Sequence, residues 1–190
     1  MKKTVVWVDE RTHVFLGKKS DFSSELRETH NLEICGEGQC EGNKACAVEC
    51  IDRFKKYLDS LGDQSKVDIA GFILDINIPV ENLGQFSDEL SGIGTGHGAY
   101  TGFQLARYVL GNEDDLSPYE DRYKNLPVLY LSISGFGDSR YTRWMKKDYV
   151  KFDHESKLLQ YSHLEKSLTG KATRGYIVSW ASKVANWKYT

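Results

Sequence analysis

Ile69-Ala70-Gly71-Phe72-Ile73-Leu74-Asp75 runs through apolar residues and one glycine without a polar break and closes on an acid. A strand with one wet face alternates apolar and polar residues, whereas an uninterrupted run of this length belongs to a strand buried on both faces. Sheets covered on both faces are parallel sheets with helices above and below. Pro79, four residues beyond Asp75, ends regular pairing. The stretch therefore reads as the central strand of an α/β domain, with a carboxylate at its carboxyl end.

Working toward the amino terminus, Val5-Val6-Trp7-Val8 repeats the pattern and ends in Asp9-Glu10. Ser20 is placed to cap a short helix through Phe22 and Leu26, and Leu32 to Cys35 reads as a shorter second strand. Ala47, Ile51, Phe54, Leu58 and Leu61 recur at steps of three and four before Gly62, which predicts an amphipathic helix with a glycine stop.

Toward the carboxyl terminus, residues 81 to 99 carry glycines 84, 92, 94, 96 and 98 and no period, and read as a loop. A helix with Phe103, Ala106, Val109 and Leu110 follows, and Pro127 opens a fourth strand, Val128-Leu129-Tyr130-Leu131, that ends at Ser132. A helix near Tyr141 to Lys147 and a short fifth strand, Tyr149-Val150-Lys151-Phe152, are expected next. A helix with Leu158, Tyr161, Leu164 and Leu168 then precedes a break from Gly170 to Gly175. A last amphipathic segment carries Ile177, Trp180, Val184 and Trp187. Alternating strands and helices imply right-handed crossovers. The expected architecture is a doubly wound, five-stranded parallel sheet of flavodoxin-like topology over residues 1–169, with a helical extension over 170–190.

Composition narrows the function classes. With 190 residues, 40% hydrophobic and 27% charged, the chain suits one globular domain. The net charge of −2 arises from acids and bases mixed along the chain, so no basic face points to nucleic acid. No apolar run approaches the roughly 20 residues that span a bilayer, and the apolar start at Val5 is cut short by Asp9 before it resembles a signal peptide. A cytoplasmic protein is expected. Cys35, Cys40, Cys46 and Cys50 lie in one short segment, where they cannot staple a secreted fold, and their spacing differs from paired zinc knuckles. Reduced thiols are the expectation, with a metal site as the alternative.

In open parallel sheets, ligands bind beyond the carboxyl ends of the strands, where the strand order reverses. Asp9, Glu10 and Asp75 end the first and third strands, which are neighbours in the common five-stranded order. Three crowded carboxylates call for a hard cation, and Mg2+ suits a site that keeps waters and accepts phosphate oxygens. Ser132 and Lys151, at the ends of the fourth and fifth strands, add a hydroxyl and a point cation to the same rim.

This constellation resembles the receiver domains of response regulators. The matching residues are Val8-Asp9-Glu10, Leu74-Asp75-Ile76-Asn77-Ile78-Pro79, Gly102, Pro127 to Ser132, and Lys151. The resemblance implies that Asp75 accepts a phosphoryl group, that Asp9, Glu10, Asp75 and the Asn77 backbone carbonyl hold Mg2+, and that Ser132 and Lys151 meet the phosphoryl oxygens. It implies a stand-alone switch of a two-component phosphorelay, with a histidine kinase or phosphotransfer protein upstream and a protein effector downstream. It also implies no enzymatic activity beyond self-phosphorylation and self-dephosphorylation.

Two positions depart from the family pattern: Ile133 stands where a small residue is usual, and Phe152 where proline is usual. They favour the alternative of a pseudo-receiver that binds proteins without phosphorylation. An aspartate-nucleophile phosphatase fits less well, because neither Asp9 nor Asp75 has a second aspartate two residues on. His97, in a glycine-rich stretch without the lysine of a phosphate loop, is assigned no role. The Trp180 and Trp187 stripe is expected to pack on the domain, with homodimerisation as its alternative use.

Overall fold

The runs that read as buried strands form the interior of a parallel sheet. The computed structural model describes residues 2–9, 21–36, 44–62, 69–80, 101–110, 119, 123, 126–132, 161–165 and 170–185. Within them the strands are β1 (Thr4–Val8), β2 (Asn31–Cys35), β3 (Ile69–Asp75), β4 (Val128–Ser132) and β5 (Tyr161–Glu165). The helices are α1 (Asp21–Thr29), α2 (Lys44–Ser60), α3 (Thr101–Leu110) and α4 (Gly170–Ala185). Every strand pairing is parallel, in the order β2-β1-β3-β4-β5. The α/β class with a parallel sheet is as the uninterrupted apolar runs predict.

Side chains of the inner strands divide between two cores because successive residues point to opposite faces. Val6, Val8, Phe72, Leu74, Val128 and Tyr130 share one core with Ala47, Cys50, Ile51, Phe54 and Leu58 of α2 and Leu105, Ala106 and Val109 of α3. Val5, Trp7, Ile73, Leu129 and Leu131 share the other with Leu26 of α1 and Ile177, Trp180, Ala181 and Val184 of α4. Burial on both sides explains why these strands carry no polar alternation. On α2, the apolar residues fall on one side, while Glu49–Arg53, Asp52–Lys56 and Lys55–Asp59 pair at i,i+4 along the helix. Such exposed pairs contribute about 0.3–0.5 kcal/mol each, so it is the apolar side that fixes the helix on the sheet.

The carboxyl-terminal third differs from the sequence expectation. Tyr161 and Leu164, expected on a helix, lie in β5, which pairs with β4 from Val128↔Tyr161 to Ser132↔Glu165. Tyr161, Leu164 and Leu168 keep helical spacing, but the free edge of β4 supplies backbone partners that outweigh so short a pattern. The segment 149–152, read as the fifth strand, lies outside the described residues. So does the helix expected near Tyr141 to Lys147, and so does most of the 81–99 loop's neighbourhood, from 81 to 100.

The expected break from Gly170 to Gly175 is helical, since α4 begins at Gly170. Trp180 is only 2% exposed and packs in the sheet's second core. Residues 170–185, read as an extension, thus share their core with β1, β3 and β4. Trp187 lies outside the described residues. Among the described residues, no helix is long and apolar enough to cross a membrane.

At the other end of the sheet, His30 joins α1 to β2 and is 1% exposed. Its Nδ1 lies 2.9 Å from Thr29 Oγ1, and Nε2 meets no hydrogen-bond partner among the described residues. Burial first, and then the nearby Lys3 charge, hold its pKa below the usual 6.5. The neutral ring is the form the fold accepts, so this stability is complete above pH 6.5 and is lost as pH falls from there through the depressed folded pKa. The urea midpoint should decline between pH 7.5 and pH 5, and His30→Gln should flatten that decline.

Candidate functional site

The carboxyl edge of the sheet carries the two acids of the central strands. Val8 of β1 stands opposite Leu74 of β3, so the next residues, Asp9 and Asp75, leave the sheet side by side. Both are 0% exposed. Like charges at adjacent buried strand ends are a placement that uptake of a cation would favour.

Each acid is held by the backbone beneath it. Beside Asp75, Ile76 N–H donates to Leu131 C=O at 2.8 Å, which continues the pairing of β3 with β4 past the acid. Asn77 N–H then donates to Asp75 Oδ1 at 3.2 Å, closing a tight turn of the kind acidic side chains make with the residue two positions on. Asp9 N–H donates to Cys35 C=O at 3.2 Å, so β1 and β2 stay paired through the acid-bearing residue.

Helix α3 starts directly against this turn. Thr101 Oγ1, fully buried, donates to Ile78 C=O at 2.7 Å, and Gly102 N–H donates to Ile76 C=O at 3.2 Å. A Cβ on Gly102 would sit 2.2 Å from the Asp75 carbonyl oxygen, so only glycine permits this approach. Gly36 plays the matching part beside the other acid: a Cβ there would sit 2.2 Å from the Asp9 carbonyl oxygen. The backbone at Gly36 has φ +114°, which also favours glycine. Two glycines, one after β2 and one in the first turn of α3, thus press against the carbonyls of the two acids.

The structure places Asp9, Asp75 and Asn77 at the same edge of the sheet. Ser132 ends β4, one residue past Leu131, the partner of Asp75. Glu10 and Lys151 lie outside the described residues. With β5 at Tyr161–Glu165, Ser132 is registered with Glu165, and the next residue in the sequence is Lys166. The lysine expected on the fifth strand, Lys151, is not among the described residues. Gly36, which meets Asp9, and Cys50, which meets Cys35, were missed, since nothing local to either records the contact.

Two of the four cysteines are described fully: Cys35 and Cys50 are buried and do not form a disulfide. Burial, with a smaller contribution from Glu33, pushes the Cys35 thiol up to about 12, so it carries no thiolate at neutral pH. Cys50 Sγ donates to Cys35 C=O at 2.9 Å. Neither is placed as a metal ligand, and among the described residues no group of three metal-binding side chains converges. Cys40 lies outside them, as does the Cys46 side chain.

The chain is similar to a response-regulator receiver protein. That crystal structure, from Sinorhizobium medicae WSM419, shares 16% identity and matches over 97% of this chain and 95% of its own, with a TM-score of 0.44. No protein-family model and no curated protein matches the sequence.

Among the described residues, the two buried carboxylates at this edge are hard oxygen donors of the kind Mg2+ prefers.

Proposed function

We propose that this protein is a phospho-accepting signalling switch, a doubly wound five-stranded receiver of flavodoxin-like topology that accepts a phosphoryl group on Asp75. The observation that carries the proposal is the pair of fully buried acids, Asp9 and Asp75, side by side at the carboxyl ends of the two central strands. The strand order β2-β1-β3-β4-β5 supports it, because the order reverses beside β1 and β3, where such folds bind ligands.

In this reading, Asp9, Glu10, Asp75 and the Asn77 carbonyl would hold Mg2+, which would supply charge neutralisation for the phosphoryl oxygens. An Asp75 carboxylate oxygen attacks phosphorus of a phosphohistidine on a partner kinase or phosphotransfer protein. The P–O bond forms as the P–N bond breaks, and the released imidazole takes up a proton. The Asn77 N–H fixes Oδ1 and so limits rotation of the nucleophile. Water later cleaves the acyl phosphate, so the protein acts on itself and needs no further substrate. Ser132 is the hydroxyl that meets the phosphoryl group. The output passes to a protein effector in the cytoplasm.

The position of β5 favours Lys166 over Lys151 as the lysine that pairs with the phosphoryl oxygens, since Lys166 follows the strand registered with β4. Intact mass after incubation with acetyl phosphate and Mg2+ tests the whole reading. Wild-type protein should gain one phosphoryl group, and the gain should vanish when Mg2+ is chelated. Lys166→Ala should slow the gain about tenfold or more, a loss typical of one charged contact to a transferring group, while Lys151→Ala should leave it near wild type. A protein that gains no mass with any phosphodonor but still binds partners is a pseudo-receiver.

A further inference from the structure

Cys50 lies on α2, in the core beneath the sheet, yet its thiol is directed at the loop that holds Asp9. Cys35 C=O, the last carbonyl of β2, accepts from both Cys50 Sγ at 2.9 Å and Asp9 N–H at 3.2 Å. The next residue, Gly36, turns with φ +114° and presses against the Asp9 carbonyl. A Cβ on Gly36 would also come within 3.2 Å of Cys50 Sγ, so the thiol packs against the turn as well as bonding to its first carbonyl. Asp9 is thus gripped at its N–H by Cys35 and at its carbonyl by Gly36, and Cys50 supports both from below.

We infer that Cys50 is a positioning residue for the metal-binding acid, acting through the Cys35 carbonyl and the Gly36 turn to hold Asp9 beside Asp75. The inference rests on the proposal that Asp9 is a ligand for Mg2+. A thiol is a weak donor, but a residue that orients a ligand from behind affects metal affinity although it never touches the ion. Its reduced, protonated form is the one that serves, because only S–H donates to a carbonyl. The role needs a small side chain with one donor, which serine supplies and alanine does not.

The test compares wild type, Cys50→Ala and Cys50→Ser in two measurements on the full chain. Amide hydrogen exchange at Asp9, normalised to Val6 on the same strand, reads the position of the acid without any metal. Titration with Mg2+ by calorimetry reads ligand function. In Cys50→Ala, Asp9 exchange should accelerate relative to Val6 and Mg2+ should bind about threefold to tenfold more weakly, the loss of roughly one neutral hydrogen bond. Cys50→Ser should recover most of both. Exchange at Asp9 that follows Val6 in Cys50→Ala overturns the positioning role even if wild type binds Mg2+ well. Serine and alanine variants that weaken alike also overturn it, since packing alone would then account for the loss. Wild type that binds no Mg2+ overturns the underlying metal site and the role of Cys50 with it, whatever the exchange shows.

Discussion

Asp75→Asn should abolish phosphoryl incorporation from acetyl phosphate and, without Mg2+, should make the protein more stable than wild type. The amide is not a nucleophile, so mass spectrometry should find no phosphorylated species. It keeps the size of the carboxylate, and its oxygen can still accept from Asn77 N–H, which bonds Asp75 Oδ1 at 3.2 Å. The turn after β3 therefore has no reason to change. Stability should rise because Asp9 and Asp75 are buried on adjacent strands. Like charges on adjacent strand ends oppose each other. Removing one should raise the urea midpoint modestly, and saturating Mg2+ should erase the advantage by stabilising wild type alone. An Asp75→Asn protein that still takes up phosphate would place the acceptor elsewhere. One that is less stable than wild type without Mg2+ would mean that the two acids do not repel.

Gly102→Val should destabilise the protein by about 2–4 kcal/mol and abolish Mg2+-dependent quenching by beryllofluoride of the native tryptophan fluorescence. The added Cβ meets the Asp75 carbonyl oxygen at 2.2 Å, its carbon at 2.8 Å and Ile76 Cα at 2.9 Å. All three are backbone atoms and have no rotamer to escape into. Either α3 lifts from the turn, losing the bond from Thr101 to Ile78, or the backbone of the phospho-acceptor moves. Gly102→Ala should act in the same direction with a smaller effect. The contrast is Gly175→Ala on α4, where nothing lies within 4 Å of the new methyl group. There alanine should stabilise by about 0.5–1 kcal/mol, because an exposed glycine inside a helix costs conformational entropy. Urea denaturation of the three variants separates close approach from helix propensity. A Gly102→Val protein as stable and as responsive as wild type would refute the contact between α3 and the acid.

The pairing of a buried acid with a closely packed glycine recurs on both central strands. Gly36 meets Asp9 after β2, and Gly102 meets Asp75 at the start of α3. The shared requirement is that another segment approach the acid's backbone closely. Backbone bonds from Asp9 to Cys35 and from Ile76 to Leu131 extend the sheet pairing to or past each acid, so both carboxylates inherit the stiffness of the sheet.

The part of the protein governed by burial can be read from its residues alone. Val5 to Val8, Ile69 to Leu74 and Val128 to Leu131 are apolar without interruption because both of their faces meet helices, and that condition is written in each strand alone. The acids that end β1 and β3 were legible for the same reason, as the first charged residues where a buried run meets the open edge. Helix α2 was legible because its apolar residues must repeat with the helix period.

Only the tertiary structure decided where the fifth strand lies. Tyr161 to Glu165 carries no two-residue alternation and keeps helical spacing with Leu168, so its state is set by the backbone groups that β4 offers it. That choice registers Ser132 with Glu165, the last residue of β5. It also makes α4 a wall of the second core, with Trp180 buried against the sheet. The roles of Gly36, Gly102 and Cys50 were hidden for a related reason. Each is defined by an atom of Asp9, Cys35 or Asp75 that is distant in sequence and adjacent in space, and no local pattern records such a contact.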